Sequence, residues 1–290
     1  MEILLEKGEN KMQKKVLAIN DISCVGRCSL TVALPIISSV GLECSILPTS
    51  ILSTHTGGFT GFTFLDFTEE MKKISEHWLK LNRKYDAIYT GFLGSSEQVE
   101  VVKDIVLKFK ENNIVIVDPA MADNGKLYAI FNDNFPNEMK KLCLIGDVIL
   151  PNITEACLLT GYEYKQNNHS DEYLNGLINA LVKEGMKNIV LTGVSKEDGR
   201  IGAICYNYET KQQYFYDQDI IPGYYHGTGD VFASVFTSSL MKGRTIEESM
   251  KISVDITVAS IKETLKYENI DVKYGVCFEE VLPLLIDKVK

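Results

Sequence analysis

Short apolar runs broken by polar residues alternate with stretches of helical spacing along most of the chain. Val16-Leu17-Ala18-Ile19 ends at Asn20-Asp21 and predicts a buried strand, being too brief for a helix. Helical spacing follows over residues 29–40, with Gly41 as its stop. Residues 42–48 predict a second strand, so the chain opens strand–helix–strand, the unit of a parallel sheet. The pattern then predicts a helix over 67–82, a strand over 87–90 and a helix from Ser95. Strands over 114–117 and 147–150 flank a helical segment near 131–144, and Gly161 caps a short helix over 154–159. A helix over 171–184 leads to a strand over 188–191. Residues 201–208 and 212–216 alternate around Glu209-Thr210-Lys211 and predict a β-hairpin near 201–216. Helices are expected near 231–242, 246–265 and 278–289. No repeat, low-complexity stretch or linker interrupts the series. The expected organisation is a tail over 1–14 and a single α/β domain over 15–290.

Two stretches break this rhythm. Over residues 50–63 the chain carries Ser53-Thr54-His55-Thr56-Gly57-Gly58-Phe59-Thr60-Gly61, too polar for core and too long for a simple turn, which predicts a binding loop. The second is Tyr225-His226-Gly227-Thr228-Gly229-Asp230, followed by the apolar Val231-Phe232-Ala233. Glycines let the backbone turn tightly and approach a ligand closely. The helix start beyond them offers unpaired N–H groups and a positive dipole end, an anion site. Asp230 would stand beside that site with a carboxylate able to take a proton. An anion cradle next to a base is what phosphoryl transfer from a nucleotide to an alcohol requires. The structural alternative is a turn with an N-cap.

Polar residues also stand at the C-terminal ends of several predicted strands: Asp21, Asp118, Asn152 and Thr192. In open parallel sheets, ligands bind beyond those ends. Asn152 and Glu155 lie three apart, so one helical turn brings them to one side; the same spacing suits a capping box.

Composition narrows the partners. A net charge of -9 argues against a sequence-independent nucleic-acid binder, which needs a basic footprint, and is compatible with a metal–nucleotide complex. The seven cysteines are odd in number and scattered through apolar segments, which suits reduced thiols in the cytoplasm, not a disulfide framework. Cys24 and Cys28 lack the second pair or nearby His that would complete a zinc site. No stretch has the length and apolarity of a membrane span, and the N-terminus lacks the apolar core of a signal peptide. Trp78 reads as a core anchor, and His77 and His169 as structural or solvated residues.

His226-Gly227-Thr228-Gly229-Asp230-Val231-Phe232-Ala233 resembles the C-terminal signature of the ribokinase-like kinases. With His55-Thr56-Gly57, Asp118-Pro119, Pro151-Asn152-Ile153-Thr154-Glu155 and Leu159-Thr160-Gly161, the chain resembles the pyridoxal (pyridoxine, pyridoxamine) kinase branch from about Lys15 onward. The resemblance implies a three-layer αβα fold, a mostly parallel central sheet flanked by helices. It implies an ATP:alcohol phosphotransferase acting on the 5'-hydroxymethyl group of vitamin B6, with Mg2+, and it leaves open a monovalent cation such as K+. Asp230 is then the general base, and the backbone N–H groups of Gly227, Thr228 and Gly229 hold the charge growing on the phosphoryl group. Asn152, Glu155, Asp118 and Thr192 serve the nucleotide side, with Asp118 and Glu155 near the metal, Glu155 through water. Asp21, His55, Thr56 and Phe92 line the ring pocket. A homodimer is expected on the same ground.

Three positions depart from the branch. It usually has serine where Asp21 stands, tyrosine where Phe92 stands, and a small or apolar residue at His226. An aspartate at the first strand end also resembles hydroxymethylpyrimidine (phosphate) kinases and sugar kinases, which form the alternative.

Overall fold

The computed structural model describes residues 12–290. The expected tail over 1–14 lies almost wholly outside the described residues. In chain order the elements are β1 (Lys15–Val25), α1 (Leu30–Ser39), β2 (Glu43–Thr54), β3 (Phe64–Asp66), α2 (Thr68–Lys80), β4 (Ala87–Thr90), α3 (Ser96–Phe109) and β5 (Ile114–Val117). There follow β6 (Ala122–Asp123), β7 (Lys126–Leu127), α4 (Phe135–Cys143), β8 (Val148–Ile149), α5 (Ile153–Thr160) and α6 (Asp171–Lys183). The chain ends with β9 (Asn188–Val194), β10 (Arg200–Tyr206), β11 (Gln213–Asp219), α7 (Thr228–Met241), α8 (Ile246–Thr264) and α9 (Leu282–Val289).

Nine strands form one sheet in the order β11-β10-β9-β8-β5-β4-β1-β2-β3. Its centre, from β2 to β9, is parallel. The edges are antiparallel: β3 on β2 at one side, and the hairpin β10–β11 continuing β9 at the other. Helices cover both faces. Alternate residues of the central strands point to opposite sides, which splits the core in two. Leu17, Ile19, Ile88, Val115 and Val117 pack with α2 to α6, whereas Val16, Ala18, Tyr89 and Ile116 pack with α1, α7, α8 and α9. Strands covered on both faces read as unbroken apolar runs, which is why β5 is Ile-Val-Ile-Val. This is the expected αβα sandwich.

Some boundaries differ from the sequence pattern, each for a local reason. β1 runs on past its apolar stretch into Asn20, Asp21 and Ser23, which are buried polar residues, and its pairing with β2 shifts register between Asn20 and Ile22. Residues 50–54 belong to β2 and not to a loop, because β3 pairs back on Ser50, Ile51 and Leu52. The helix expected near 131–144 begins at Phe135, with Pro136 in its first turn, where a missing N–H costs nothing. The last helix is broken into a 3-10 turn, Glu279–Val281, and α9 with Pro283 in its first turn. The small hairpin β6–β7 comes in addition to the expected elements.

Candidate active site

The C-terminal ends of β5, β8 and β9 open onto a cleft of about 470 Å3, which the start of α7 also lines. Gly227, at φ 75, is in the left-handed region and turns the chain into α7. The close approach demands glycine there, since a Cβ would stand 2.1 Å from the Arg27 carbonyl oxygen. Thr228, Gly229 and Asp230 form the first turn, so their N–H groups have no partner within the helix. All four residues line the cleft.

Asp230 is partly open to the cleft and otherwise enclosed by protein. Burial pushes its carboxyl up to about 7, the nearby Asp21 raising it further, while a backbone N–H of Ser29 and the side chain of Asn20 act the other way. Asn20 Nδ2 donates to Asp230 Oδ1 at 3.4 Å. A carboxylate poised near neutrality is suited to general-base work.

Asp118, at the end of β5, also lines the cleft and accepts from the Ala120 amide at 3.2 Å. Its carboxyl is held well above the usual range by burial, then by the charges of Glu155 and Asp230. Carboxylates that raise one another's proton affinity in one cleft invite a cation. Asn152 and Glu155 form the capping box of α5: Asn152 Oδ1 accepts from the Glu155 amide, and Glu155 Oε2 from the Asn152 amide, each at 2.9 Å. Glu155 does more than cap. Its Oε1 accepts from the amides of Met121 at 2.9 Å and Ala122 at 3.3 Å, pinning the loop after Asp118. Burial raises its carboxyl, and these three amides offset the rise. Thr192 and Gly193, at the end of β9, line the same cleft.

The substrate-side residues fall differently. Of Asp21, His55, Thr56 and Phe92, none lines this cleft. Asp21 is 4% exposed, its Oδ2 accepting from the Ser23 hydroxyl at 3.1 Å. His55 Nδ1 accepts from the Gly57 amide at 3.1 Å, so Nε2 carries the proton and donates to the Lys273 carbonyl at 2.6 Å. Its ring lies 4.8 Å from that of His226, which does line the cleft, and Tyr224 packs on the other side of His226 at 4.8 Å. Burial lowers the proton affinity of both imidazoles. Thr56 sits in the same loop, and the Phe92 amide donates to Asn20 Oδ1 at 2.9 Å. His169 is buried, not solvated: Nε2 meets the Lys165 carbonyl at 2.9 Å and Nδ1 accepts from the Ser195 amide at 3.0 Å.

Among the cleft residues that carry no mark in the sequence pattern above are four polar ones near the strand ends. Asp123 and Asn124 arrive on the β6–β7 hairpin, and the Tyr224 hydroxyl donates to Asp123 at 2.9 Å. Tyr128 lies beside them. The hairpin's turn is Asn124-Gly125, both at positive φ, the usual chemistry of a two-residue hairpin and a signal that is present in the sequence.

The chain is similar to known kinases. The sequence model of the phosphomethylpyrimidine kinase family matches residues 36–274. A Bacteroides thetaiotaomicron protein, provisionally named a phosphomethylpyrimidine kinase and crystallised with pyridoxal, is 38% identical; it superposes with a TM-score of 0.89 over 94% of this chain and 96% of its own. Pyridoxal kinase from Lactobacillus plantarum is 28% identical, with a TM-score of 0.86 over 96% of this chain and 98% of its own. The pyridoxine/pyridoxal/pyridoxamine kinase of Bordetella avium is 25% identical, over 82% of this chain and 81% of that protein. Fold and cleft together define a small-molecule kinase of the ribokinase-like superfamily. Within it, the chain belongs to the phosphomethylpyrimidine kinase family.

Proposed function

We propose that this kinase transfers the terminal phosphoryl group of ATP to the 5'-hydroxymethyl group of pyridoxal, pyridoxine or pyridoxamine. The placement of Asp230 carries the reading: a carboxyl pushed up to about 7 stands in the first turn of α7, beside the unpaired amides that follow Gly227. Asp230 takes the proton of the attacking hydroxyl. The amides of Gly227, Thr228 and Gly229 hold the charge that grows on the phosphoryl oxygens. Thr192 and Asn152 face the nucleotide phosphates, and the apolar wall of Ile220, Val254, Val258 and Ile261 offers the purine a dry surface.

Mg2+ fits the donor set. This ion is ordinarily held by one or two carboxylates and completed by water and phosphate oxygens, and Asp118 and Glu155 both line the cleft. Asp118 would hold the ion directly. Glu155, whose oxygens already accept three amides, would act on it through water. When bound, Mg2+ supplies charge neutralisation on the phosphates.

The B6 vitamers are favoured over a pyrimidine alcohol by the 38%-identical protein crystallised with pyridoxal. The family resemblance assigns Asp21, His55, Thr56 and Phe92 to the ring; of these, His55 adjoins the cleft through His226, whose ring lies 4.8 Å away. The seven free cysteines support a reducing, cytoplasmic location. The homodimer rests on the family resemblance.

The test is ATP consumption with each vitamer and with hydroxymethylpyrimidine, with Mg2+ and after chelation. Faster turnover of a B6 vitamer, lost on chelation, is expected. Preference for the pyrimidine over every vitamer, or binding of pyridoxal with ATP left intact, overturns the proposal.

A further inference from the structure

We propose that His226 is a positioning residue for the substrate ring: its imidazole is the peg on which the loop over 55–61 seats, so that this loop and the phosphoryl cradle beginning at Gly227 are held in one register. The inference rests on the reading that the loop serves the vitamer.

The loop leaves β2 and returns as β3. Its neck is closed where the Ser53 amide donates to the Thr63 carbonyl at 3.2 Å and the Thr63 amide to Ser53 Oγ at 2.9 Å. Beyond the neck stand Gly57, Gly58 and Gly61. Gly58 and Gly61 have φ 77 and 72, left-handed values that favour glycine on backbone grounds. Gly57 is outside that region, so its backbone is not the reason for glycine there. The reason is His226. A Cβ on Gly57 would lie 2.6 Å from His226 Cε1 and 2.8 Å from Nδ1, with His55 Nδ1 at 3.3 Å. Ordinary contacts between carbons are about 3.5–4.0 Å. The loop therefore carries a slot as large as the missing methyl, and the imidazole occupies it. A Cβ on Gly58 would stand 3.6 Å from His226 Nε2, so the nitrogen-bearing edge of the ring faces the loop.

The peg is itself held. Tyr224 meets the His226 ring edge-on at 4.8 Å and 82°, and His55 lies against it at 4.8 Å and 39°. The Tyr224 hydroxyl is anchored on Asp123 at 2.9 Å. Past His55 the row continues through Phe59 at 4.9 Å to Tyr274, a further 5.1 Å on. Five rings thus run from the β6–β7 hairpin to the turn whose Lys273 carbonyl accepts from His55. His226 is the member that ties the row to the cradle, since it directly precedes Gly227, which is set hard against the Arg27 carbonyl. Removing the peg frees the loop that carries His55 and Thr56. It leaves in place Asp118, Asn152 and Thr192, which reach the cleft from β5, the start of α5 and β9. The loss should therefore fall on the vitamer and spare the nucleotide.

The experiment is a double-mutant cycle on the full chain: wild type, Gly57→Ala, His226→Ala and the pair, assayed by ATP consumption with Mg2+ at varied pyridoxal and then at varied ATP. Gly57→Ala alone is expected to raise the pyridoxal KM about tenfold, a coupling within the range for side chains in contact. In the His226→Ala background the same change should cost less than about twofold, as for independent sites, because the methyl then enters space the ring has left. His226→Ala alone should raise the pyridoxal KM while the ATP KM stays within about twofold of wild type. Thermal melts of the four proteins repeat the cycle without substrate, and the Tm lost in Gly57→Ala should be recovered in the pair. Equal penalties for Gly57→Ala in both backgrounds overturn the inference. So does an ATP KM that rises as far as the pyridoxal KM in His226→Ala. A wild type that phosphorylates no vitamer removes the B6 reading instead, and the melts still decide whether peg and slot fit as argued.

Discussion

Two glycines of one signature should respond oppositely to the same added methyl. At Gly227 an alanine Cβ would stand 2.1 Å from the Arg27 carbonyl oxygen, more than about 1 Å short of ordinary contact. That oxygen cannot retreat cheaply. It is backbone, and the Arg27 amide donates to the Tyr274 carbonyl at 2.8 Å. Left-handed backbone costs an alanine about 1–2 kcal/mol, and forced overpacking about 1–3 kcal/mol. The sum is a loss of about 2–5 kcal/mol, or about 3–8 °C in Tm for a chain of this size. The helix start must shift by something near the overlap, and a displacement of about 1 Å at a reacting centre costs on the order of 10²-fold in kcat. At Gly229 nothing lies within 4 Å of the added atom, and its φ is ordinary. Gly229→Ala should hold or gain up to about 1 kcal/mol, since glycine is the poorer helix residue. Thermal melts and ATP turnover on both variants check this. Gly227→Ala with wild-type Tm and kcat, or equal losses at the two positions, would refute the steric account of the cradle.

Other expectations concern the carboxylates. Asp230→Asn should lower kcat about 10²–10⁴-fold, and wild-type kcat/KM should fall as pH drops through about 7, where the base becomes protonated. Because the folded-state value is raised above the unfolded one, the stability Asp230 lends is full in acid and lost as pH rises through about 7. Asp230→Asn should therefore raise stability by about 2–4 kcal/mol at pH 8 and add little at pH 4, as read from denaturant titrations at both. Glu155→Gln keeps the shape but turns an NH2 group on at least one backbone amide. A loss of about 1–3 kcal/mol is expected in melts, and an unchanged Tm would show that the loop after Asp118 is held by something else.

The layered fold is legible because its strands are buried on both faces and its helices on one. Runs such as Ile114-Val115-Ile116-Val117 are too short for a helix and read as buried strands. The hairpin near 201–216 is legible too, from alternation around a polar turn. Polar strand extensions are not. Asn20, Asp21 and Ser23 look like a loop beginning, and only their pairing with β2 makes them strand. The string over 50–63 reads as one loop because β3 announces itself only by pairing with β2. In the cleft, the residues at the strand ends and after Gly227 stand out from the pattern. Those delivered by the Asn124-Gly125 hairpin do not, although its turn chemistry is visible. The capping and catalytic readings of Asn152 and Glu155 do not compete, since the same carboxyl caps α5 and pins the loop beside Asp118.

The contact between Asn20 and Asp230 joins residues 210 positions apart. At translation rates of about 5–20 residues per second, the first strand waits roughly 10–40 s for its partner to be synthesised. During that interval an acid-rich strand end has no helix to close over it. Recovery of turnover after dilution from denaturant should accordingly lag the return of helical ellipticity, and a nascent chain stalled before α7 should hold its sheet without any capacity for turnover.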